Sequence, residues 1–294
     1  MPVDPPTTPA TVLTVGSLHY DIMVEAEHLP RRDETAIGSR WYPKFGGKGG
    51  NQAVSAAKSG VASHMVGAVG DDEFGRFLRG NLIKGGVGDH WIATISGAGS
   101  GMSVAVQDKN GDYAATIVSG ANLHIDVASL ENDQVWNGVS VLVLQNEVPV
   151  AVNIAAATQA RNRGVRTVLN AAPYRALPSD LSTLIDILVV NAVEAEMMGA
   201  GHVSCLDSAS DAAKKLGAQF DCVVVTAGAE GLAAWGGGNL GLKLPAKKVS
   251  VVSSHGAGDA FVGALAAELA RGNELEQAGK AASDAAAMHV AGSR

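Results

Sequence analysis

The sequence of 294 residues is poor in aromatic residues, cysteine and positive charge. Aromatic residues make up 4% of it, its net charge is −7, and its two cysteines, Cys205 and Cys222, have no metal-type spacing. Two cysteines are too few for a disulfide framework, and an acidic chain without a basic run is a poor partner for nucleic acid or an anionic membrane surface. No apolar run is long enough to span a membrane. Residues 1–10 lack the features of a signal peptide and are predicted to be a loose leader, so we expect a cytoplasmic protein.

Hydrophobic residues and glycine are abundant, at 47% and 36 residues. After Asp126 the pattern alternates between short apolar strands and amphipathic helices, from a strand over 140–144 to one over 222–226. That rhythm predicts a right-handed, mostly parallel sheet with helices on both faces. The predicted fold class is therefore α/β, a three-layer doubly wound sheet, in one domain over residues 1–294.

The N-terminal half departs from this rhythm in two places. Residues 22–44 alternate between polar and apolar and are broken by Pro30 and Pro43, and residues 102–118 read as a hairpin over Asn110-Gly111. Such strands leave the main sheet. We predict a small inserted β-lid formed from about 20–44 and 100–118, with a second hairpin later in the chain that turns at 236–239.

A stretch of small residues, Ser253-Ser254-His255-Gly256-Ala257-Gly258-Asp259, precedes the last long helical pattern. The first amides of a helix have no intrahelical acceptor and favour an anion such as a phosphate. A carboxylate beside that anion, Asp259, suits a general base. An ordinary turn with a helix-start carboxylate explains the same residues equally well, so both interpretations stay open from this stretch alone.

A second glycine-rich stretch, Phe45-Gly46-Gly47-Lys48-Gly49-Gly50-Asn51-Gln52, leads into a helical pattern over 53–59. We predict a loop with exposed amides around Lys48, and Asn51 projects from the first helical turn toward the group that those amides bind. The spacing is not that of a Walker A loop. A plain turn remains an alternative.

Polar residues follow several of the predicted strands, where an open parallel sheet forms its ligand crevice. They are His19 and Asp21 after the first strand, and Glu147, Asn170, Asn191 with Glu194, and Thr226 with Gly228 in the second half. Asn191 and Glu194 lie three residues apart on one helical face, where they could hold hydrated Mg²⁺ through its waters. A capping box explains the same pair equally well.

Taken together, these motifs resemble the ribokinase-like (PfkB) carbohydrate kinases over nearly the whole chain. The two glycine-rich stretches look like the family's two signatures, and Asn191-Ala192-Val193-Glu194 looks like its Mg²⁺-associated motif. The resemblance implies the family's fold with a β-lid that also makes a homodimer contact, and transfer of the γ-phosphate of ATP to a primary hydroxyl of a sugar. The implied site consists of Asp259 as base with the amides of Gly256, Ala257 and Gly258; His19, Asp21, Gly47, Lys48, Asn51 and Glu147 around the sugar; Asn191, Thr226 and Gly228 along the nucleotide; and Asn191 with Glu194 for Mg²⁺.

Three departures from the family pattern bear on substrate and cation. Ribose-specific members have Asn where this chain has His19, which leaves a nucleoside kinase as the alternative activity. An Asp that helps bind an activating monovalent cation is replaced by Ser253, and the chain ends at Arg294 where those members continue. We therefore do not expect dependence on K⁺. A non-catalytic sugar or nucleotide sensor is a further alternative, disfavoured by the intact Asp259.

Overall fold

The computed structural model describes residues 10–236 and 240–292, so the leader at 1–9 and the turn at 237–239 lie outside the described residues. The described chain forms two sheets and the helices that cover them. The strands are β1 Thr11–Val15, β2 His19–Ala26, β3 Gly38–Gly46, β4 Ala62–Gly70, β5 Val87–Gly88, β6 Ile92–Ile95, β7 Met102–Gln107, β8 Tyr113–Val118, β9 Val139–Gln145, β10 Arg166–Asn170, β11 Ile187–Asn191, β12 Cys222–Thr226, β13 Gly231–Gly236 and β14 Leu240–Pro245. The α-helices are α1 Lys48–Lys58, α2 Glu73–Lys84, α3 Val150–Asn162, α4 Ser179–Ser182, α5 Ala192–Met197, α6 Leu206–Leu216, α7 Ala257–Ala270 and α8 Leu275–Val290, with 3₁₀ turns at Gly120–His124, Val127–Glu131, Asp133–Trp136 and Gly228–Glu230.

The large sheet has the order β14-β13-β12-β11-β10-β9-β1-β4-β5, with β6 also paired to β4. The strands from β12 to β5 pair in parallel, and β13 and β14 add an antiparallel edge. The strand order reverses between β1 and β9, since β1 lies beside both β4 and β9. The three-layer, mostly parallel α/β fold predicted from the sequence is confirmed.

Two apolar layers hold the helices onto this sheet. Alternate residues of a strand point to opposite faces, so Leu13 and Leu142 pack in the layer that includes α3 and α6, whereas Val12 and Val141 pack in the layer that includes α7 and α8. Helix α7 is buried along most of its length. The residues at the start of α7 therefore belong to a rigid, buried helix.

The small sheet has the order β3-β2-β7-β8 and leaves the main sheet after β1. Its strands fall where the sequence predicts the lid, and β7 and β8 pair as the predicted antiparallel hairpin. Its inner face carries a cross-strand row of Lys44, Asp21, Ser103 and Ile117. Within the described ranges, no helix combines the length and apolar character that crossing a membrane requires.

Candidate active site

A cavity of about 170 Å³ opens at the carboxyl ends of the parallel strands, beside the start of α7. It brings together residues that the sequence spreads over more than 200 positions. Its walls include seven of the predicted site residues: Lys48, Asn191, Glu194, Thr226, Gly256, Gly258 and Asp259. The cavity walls do not include Gly228, which begins a short 3₁₀ turn just after β12.

The start of α7 has the geometry of an anion site. Gly256, the residue before the helix, has a φ of 83°, a left-handed conformation that glycine adopts without strain. Among the described residues, the amides of Gly256 and Gly258 have no protein acceptor, whereas the amide of Ala257 donates to the carbonyl of Ser254 at 3.2 Å. Two of the three predicted amides are therefore free to bind a ligand, and the third is held by its own turn.

Asp259 is buried in the first turn of α7 and is held by two amide groups from α1. Gln52 Nε2 donates to its Oδ1 at 2.9 Å, and Asn51 Nδ2 donates to its Oδ2 at 3.4 Å. Burial raises the pKa of Asp259 to about 6, which Lys48 and the two hydrogen bonds oppose and Glu147 reinforces. A carboxyl group with that pKa is ionised at neutral pH and is basic enough to accept a proton.

The glycine-rich stretch of the first signature is the start of a helix, and the prediction of a loop with exposed amides is wrong. Helix α1 begins at Lys48, and a Cβ on Gly49 would lie 2.6 Å from the amide nitrogen of Ser17. Lys48 N donates to Glu147 Oε2 at 2.8 Å, and Gly50 N donates to Ser17 O at 3.0 Å. The glycines are needed because the helix packs directly on the β1–β2 connection.

Glu147 is thereby tied to the first signature and to the β1–β2 connection. Its Oε2 accepts from the hydroxyl of Ser17 at 2.5 Å as well as from the amide of Lys48. His19 is 3% exposed, with Nδ1 3.7 Å from the same oxygen and Nε2 buried without a partner among the described residues. The predicted residues His19, Lys48 and Glu147 therefore do lie together.

Asp21 lies on the inner face of the small sheet. Ser103 Oγ donates to its Oδ1 at 2.5 Å, and the carboxylate occupies the space that a Cβ on Gly46 would need. Burial raises the pKa of Asp21, against the hydrogen bond from Ser103 and the nearby His19, His255 and Lys44. Asp21 and His19, two of the residues predicted to contact the sugar, therefore lie close enough to interact electrostatically.

Asn191 and Glu194 form the capping box that the sequence left as an alternative to a metal-associated pair. Asn191 Oδ1 accepts from Glu194 N, and Glu194 Oε2 accepts from Asn191 N, both at 2.8 Å. These bonds use one oxygen of each side chain. Burial raises the pKa of Glu194 and Lys48 opposes that rise, so this carboxylate also faces the lysine of the first signature.

The remaining predicted positions lie at the edge of the site. Thr226 Oγ1 donates to Val190 O at 3.4 Å, and Gly228 has a φ of 56°. Ser253, which stands where a cation ligand was expected, is exposed, and its hydroxyl accepts from His255 N at 3.3 Å. Residues 10–236 and 240–292 contain no group of three acidic, histidine or cysteine side chains able to hold a metal ion directly.

Four residues that the sequence did not single out lie against the predicted carboxylates. Gln52, Ser17 and Ser103 contact them, and His255 lies close enough to Asp21 and Lys44 to interact electrostatically with both. Gln52 and His255 stand inside the two signatures, which was a signal for them. The contact of Ser103 with Asp21 depends on the register of the lid strands, and that of Ser17 on the packing of α1.

Comparison with known proteins matches residues 9–293 to the family described as pfkB family carbohydrate kinase. The chain belongs to this family of carbohydrate kinases. Ribokinase of Mus musculus is 35% identical over 267 residues, which cover 89% of this chain and 82% of the mouse protein. Deoxyribokinase of Salmonella typhimurium is 29% identical over 284 residues, which cover 96% of this chain and 92% of that protein.

Among solved structures, Arabidopsis thaliana ribokinase complexed with ribose and ATP superposes on this kinase with a TM-score of 0.88. It is 28% identical, and the match covers 97% of this chain and 93% of that one. The kinase is thus an ATP-dependent enzyme that phosphorylates a carbohydrate. The family, the fold and the enzyme class predicted from the sequence are confirmed.

Proposed function

We propose that this kinase transfers the γ-phosphate of ATP to the primary hydroxyl of ribose or a closely related sugar, with Asp259 as the base. The single observation that carries the proposal is the buried Asp259 carboxylate at the start of α7, next to free helix amides. The sugar itself is suggested by relatives named ribokinase. Phosphoryl transfer needs positioning and charge neutralisation more than covalent chemistry.

In this mechanism Asp259 accepts the proton of the attacking hydroxyl, whose oxygen then forms the bond to the γ-phosphorus as the bond to the leaving ADP breaks. The amides of Gly256 and Gly258 donate to the transferring phosphoryl group. Ala257 shapes the turn and adds its part of the helix dipole. Lys48 faces both Asp259 and Glu194, so it neutralises charge between the two substrates.

The sugar-binding wall consists of residues whose polar atoms already converge. Asp21 and Glu147 accept hydrogen bonds from sugar hydroxyls. Asn51 stands beside the base, and His19 lies against Glu147. Gly47, with a φ of 87°, lets the chain turn closely over the β1–β2 connection. The sugar would thus be held between the main sheet and the lid.

The nucleotide would lie along Asn191, Thr226 and Gly228. Mg²⁺ supplies charge neutralisation on the phosphates when it is bound. The second oxygen of Glu194, which the capping box leaves unused, fits contact with a water of the hydrated ion. Because no cluster of three ligands exists in the described chain, the phosphates themselves would supply direct ligands.

A nucleoside kinase is the second candidate, because of His19. Its buried and unpartnered Nε2 can bind a group that ribose lacks. The test is ADP release from Mg-ATP with ribose, 2-deoxyribose, other pentoses, fructose, uridine, pseudouridine and adenosine. Turnover with ribose supports the first proposal, preference for a nucleoside supports the second, and ligand binding without ADP release would indicate a sensor.

Two further properties belong to this proposal. The outer face of the lid carries Trp41 and Val118, 64% and 52% exposed, in register with Val24 and Met102. A second copy of the chain would cover this apolar face, and Trp41→Asp should convert a dimer to a monomer in sedimentation.

The absence of a carboxylate at Ser253 favours activity that does not depend on K⁺. Assays of the rate in Na⁺ and in K⁺ buffers would test this.

A further inference from the structure

Lys44 lies on the inner face of the lid, directly opposite Asp21. The two residues are cross-strand partners between β2 and β3, and directly opposed side chains project to the same face of a sheet. The same row continues through Ser103, whose hydroxyl donates to Asp21 Oδ1. The other oxygen, Oδ2, lies nearest the position that a Cβ on Gly46 would occupy, which is on the β3 side.

Within the part of the chain that the structure describes, the ammonium group of Lys44 has no bonded partner. Among the described residues, no hydrogen bond engages it and no ion pair joins it to Asp21 within 4.0 Å. The side chain is nevertheless half-buried, and burial lowers the pKa of Lys44 while Asp21 alone opposes that shift. A partly desolvated ammonium without an acceptor is costly unless a ligand supplies one.

The electrostatic neighbours of Lys44 locate it within the site. It interacts with Asp21 and with His255, whereas the neighbours that act on Asp259 are Lys48 and Glu147. Lys44 therefore lies beside Asp21, on the lid, and outside the walls of the cavity that holds the base. A group bound there is a part of the substrate that does not react.

We propose that Lys44 is a specificity-determining residue that donates a hydrogen bond to a secondary sugar hydroxyl, which in turn donates a hydrogen bond to Asp21. A hydroxyl is both donor and acceptor, so one hydroxyl oxygen placed between the Lys44 ammonium and the Asp21 carboxylate, which project to the same face of the sheet without a direct ion pair, can bond to both. This inference rests on the proposed sugar kinase activity. It adds the requirement for a hydroxyl at one ring position, and so a preference between a sugar and its deoxy analogue.

The test compares wild type with Lys44→Met, which retains the length of the side chain and removes its donors. With ribose we expect KM to rise about tenfold and kcat to change less than twofold, because a contact to a non-reacting hydroxyl acts in ground-state and transition-state complexes alike. With 2-deoxyribose and 3-deoxyribose, the analogue that lacks the bound hydroxyl should give wild type and variant the same KM. Lys84→Met, at the exposed end of α2, is the matched control and should alter neither constant.

An unchanged KM for ribose, an equal rise in KM for all three sugars, or a loss confined to kcat would each overturn the assignment. Thermal unfolding separates it from a structural role, since removal of an unpartnered, half-buried ammonium should leave the melting temperature of Lys44→Met at or above that of wild type. If wild type does not phosphorylate ribose, the proposed substrate fails independently. The comparison is then made with the panel sugar that is turned over.

Discussion

Gln52 Nε2 donates a 2.9 Å hydrogen bond to Oδ1 of Asp259, although the two residues lie 207 positions apart. This bond joins the helix of the first signature to the helix of the second. Contacts between α1 and α7 extend along both helices, where Gly263 lies against Gln52 O and Ser55 donates to Ala260 O at 2.7 Å. The proposed base is therefore held in place by its own helix α7 and by hydrogen bonds from α1 before the substrate binds.

The acid limb of the pH profile should report Asp259. A base must be deprotonated to act, and burial raises the pKa of this group to about 6. We expect kcat/KM to be level near pH 8 and to fall about tenfold per pH unit below about pH 6. Initial rates from pH 5 to pH 9 at low sugar check this. A profile that stays flat to pH 5 would argue against a base with this pKa.

The Gln52→Leu substitution should shift the acid limb of the pH profile to higher pH. The hydrogen bond from Gln52 favours the ionised carboxylate, so its loss should raise the Asp259 pKa by about one unit. The variant would then lose more activity at pH 6 than at pH 8. Gln134→Leu, at an exposed position in a 3₁₀ turn, is the control. Equal loss at both pH values would mean that Gln52 acts only in packing.

The same carboxyl group should make stability depend on pH. Its folded-state pKa of about 6 exceeds the ordinary value of 3.8, so the folded protein binds this proton more tightly than the unfolded chain and loses stability as pH rises from 4 to 6. The Asp259→Asn variant has no carboxyl group to ionise at this position, so it does not lose this stability as pH rises. Its free energy of unfolding relative to wild type should therefore increase by up to roughly 3 kcal/mol from pH 4 to pH 7, measured by urea denaturation. A constant difference would contradict the buried-charge explanation.

Glu194→Gln separates the capping box from the metal-associated role. Gln preserves a capping box at this position, so the melting temperature should stay within about 2 °C of wild type, a shift that corresponds to less than about 1 kcal/mol. The carboxylate charge is lost, and we expect the Mg²⁺ concentration for half-maximal rate to rise about tenfold. Glu194→Ala should lose both properties. A Gln variant with an unaltered Mg²⁺ requirement would leave Glu194 a purely structural cap.

Much of the fold could be predicted from local pattern. Strand β12 lies at the predicted bounds, Cys222–Thr226, and β9, Val139–Gln145, extends the predicted strand over 140–144 by one residue at each end. These elements are marked by apolar periodicity and by glycine near their ends. The beginning of α1 was missed because four glycines around Lys48 have low helix propensity, and tertiary contact with Ser17 requires them there.

Only those site residues that belong to a sequence motif could be predicted from the sequence. Lys48 of the first signature lines the same cavity as Gly256, Gly258 and Asp259 of the second, and each of these residues belongs to a contiguous motif. Lys44 and Ser103 belong to no motif, and their relation to Asp21 depends on the register of three lid strands. The roles of the site residues, the homodimer and the cytoplasmic location stay predictions.

The central claim is tested most directly by the phosphoryl-transfer rate of Asp259→Asn with saturating Mg-ATP and ribose, together with ribose affinity by calorimetry. The account predicts that kcat falls by at least about a thousandfold while the Kd for ribose changes less than about threefold, because the base matters in the transition state more than in ground-state binding. A variant that retains more than about a tenth of the wild-type kcat would contradict the assignment of Asp259 as the base.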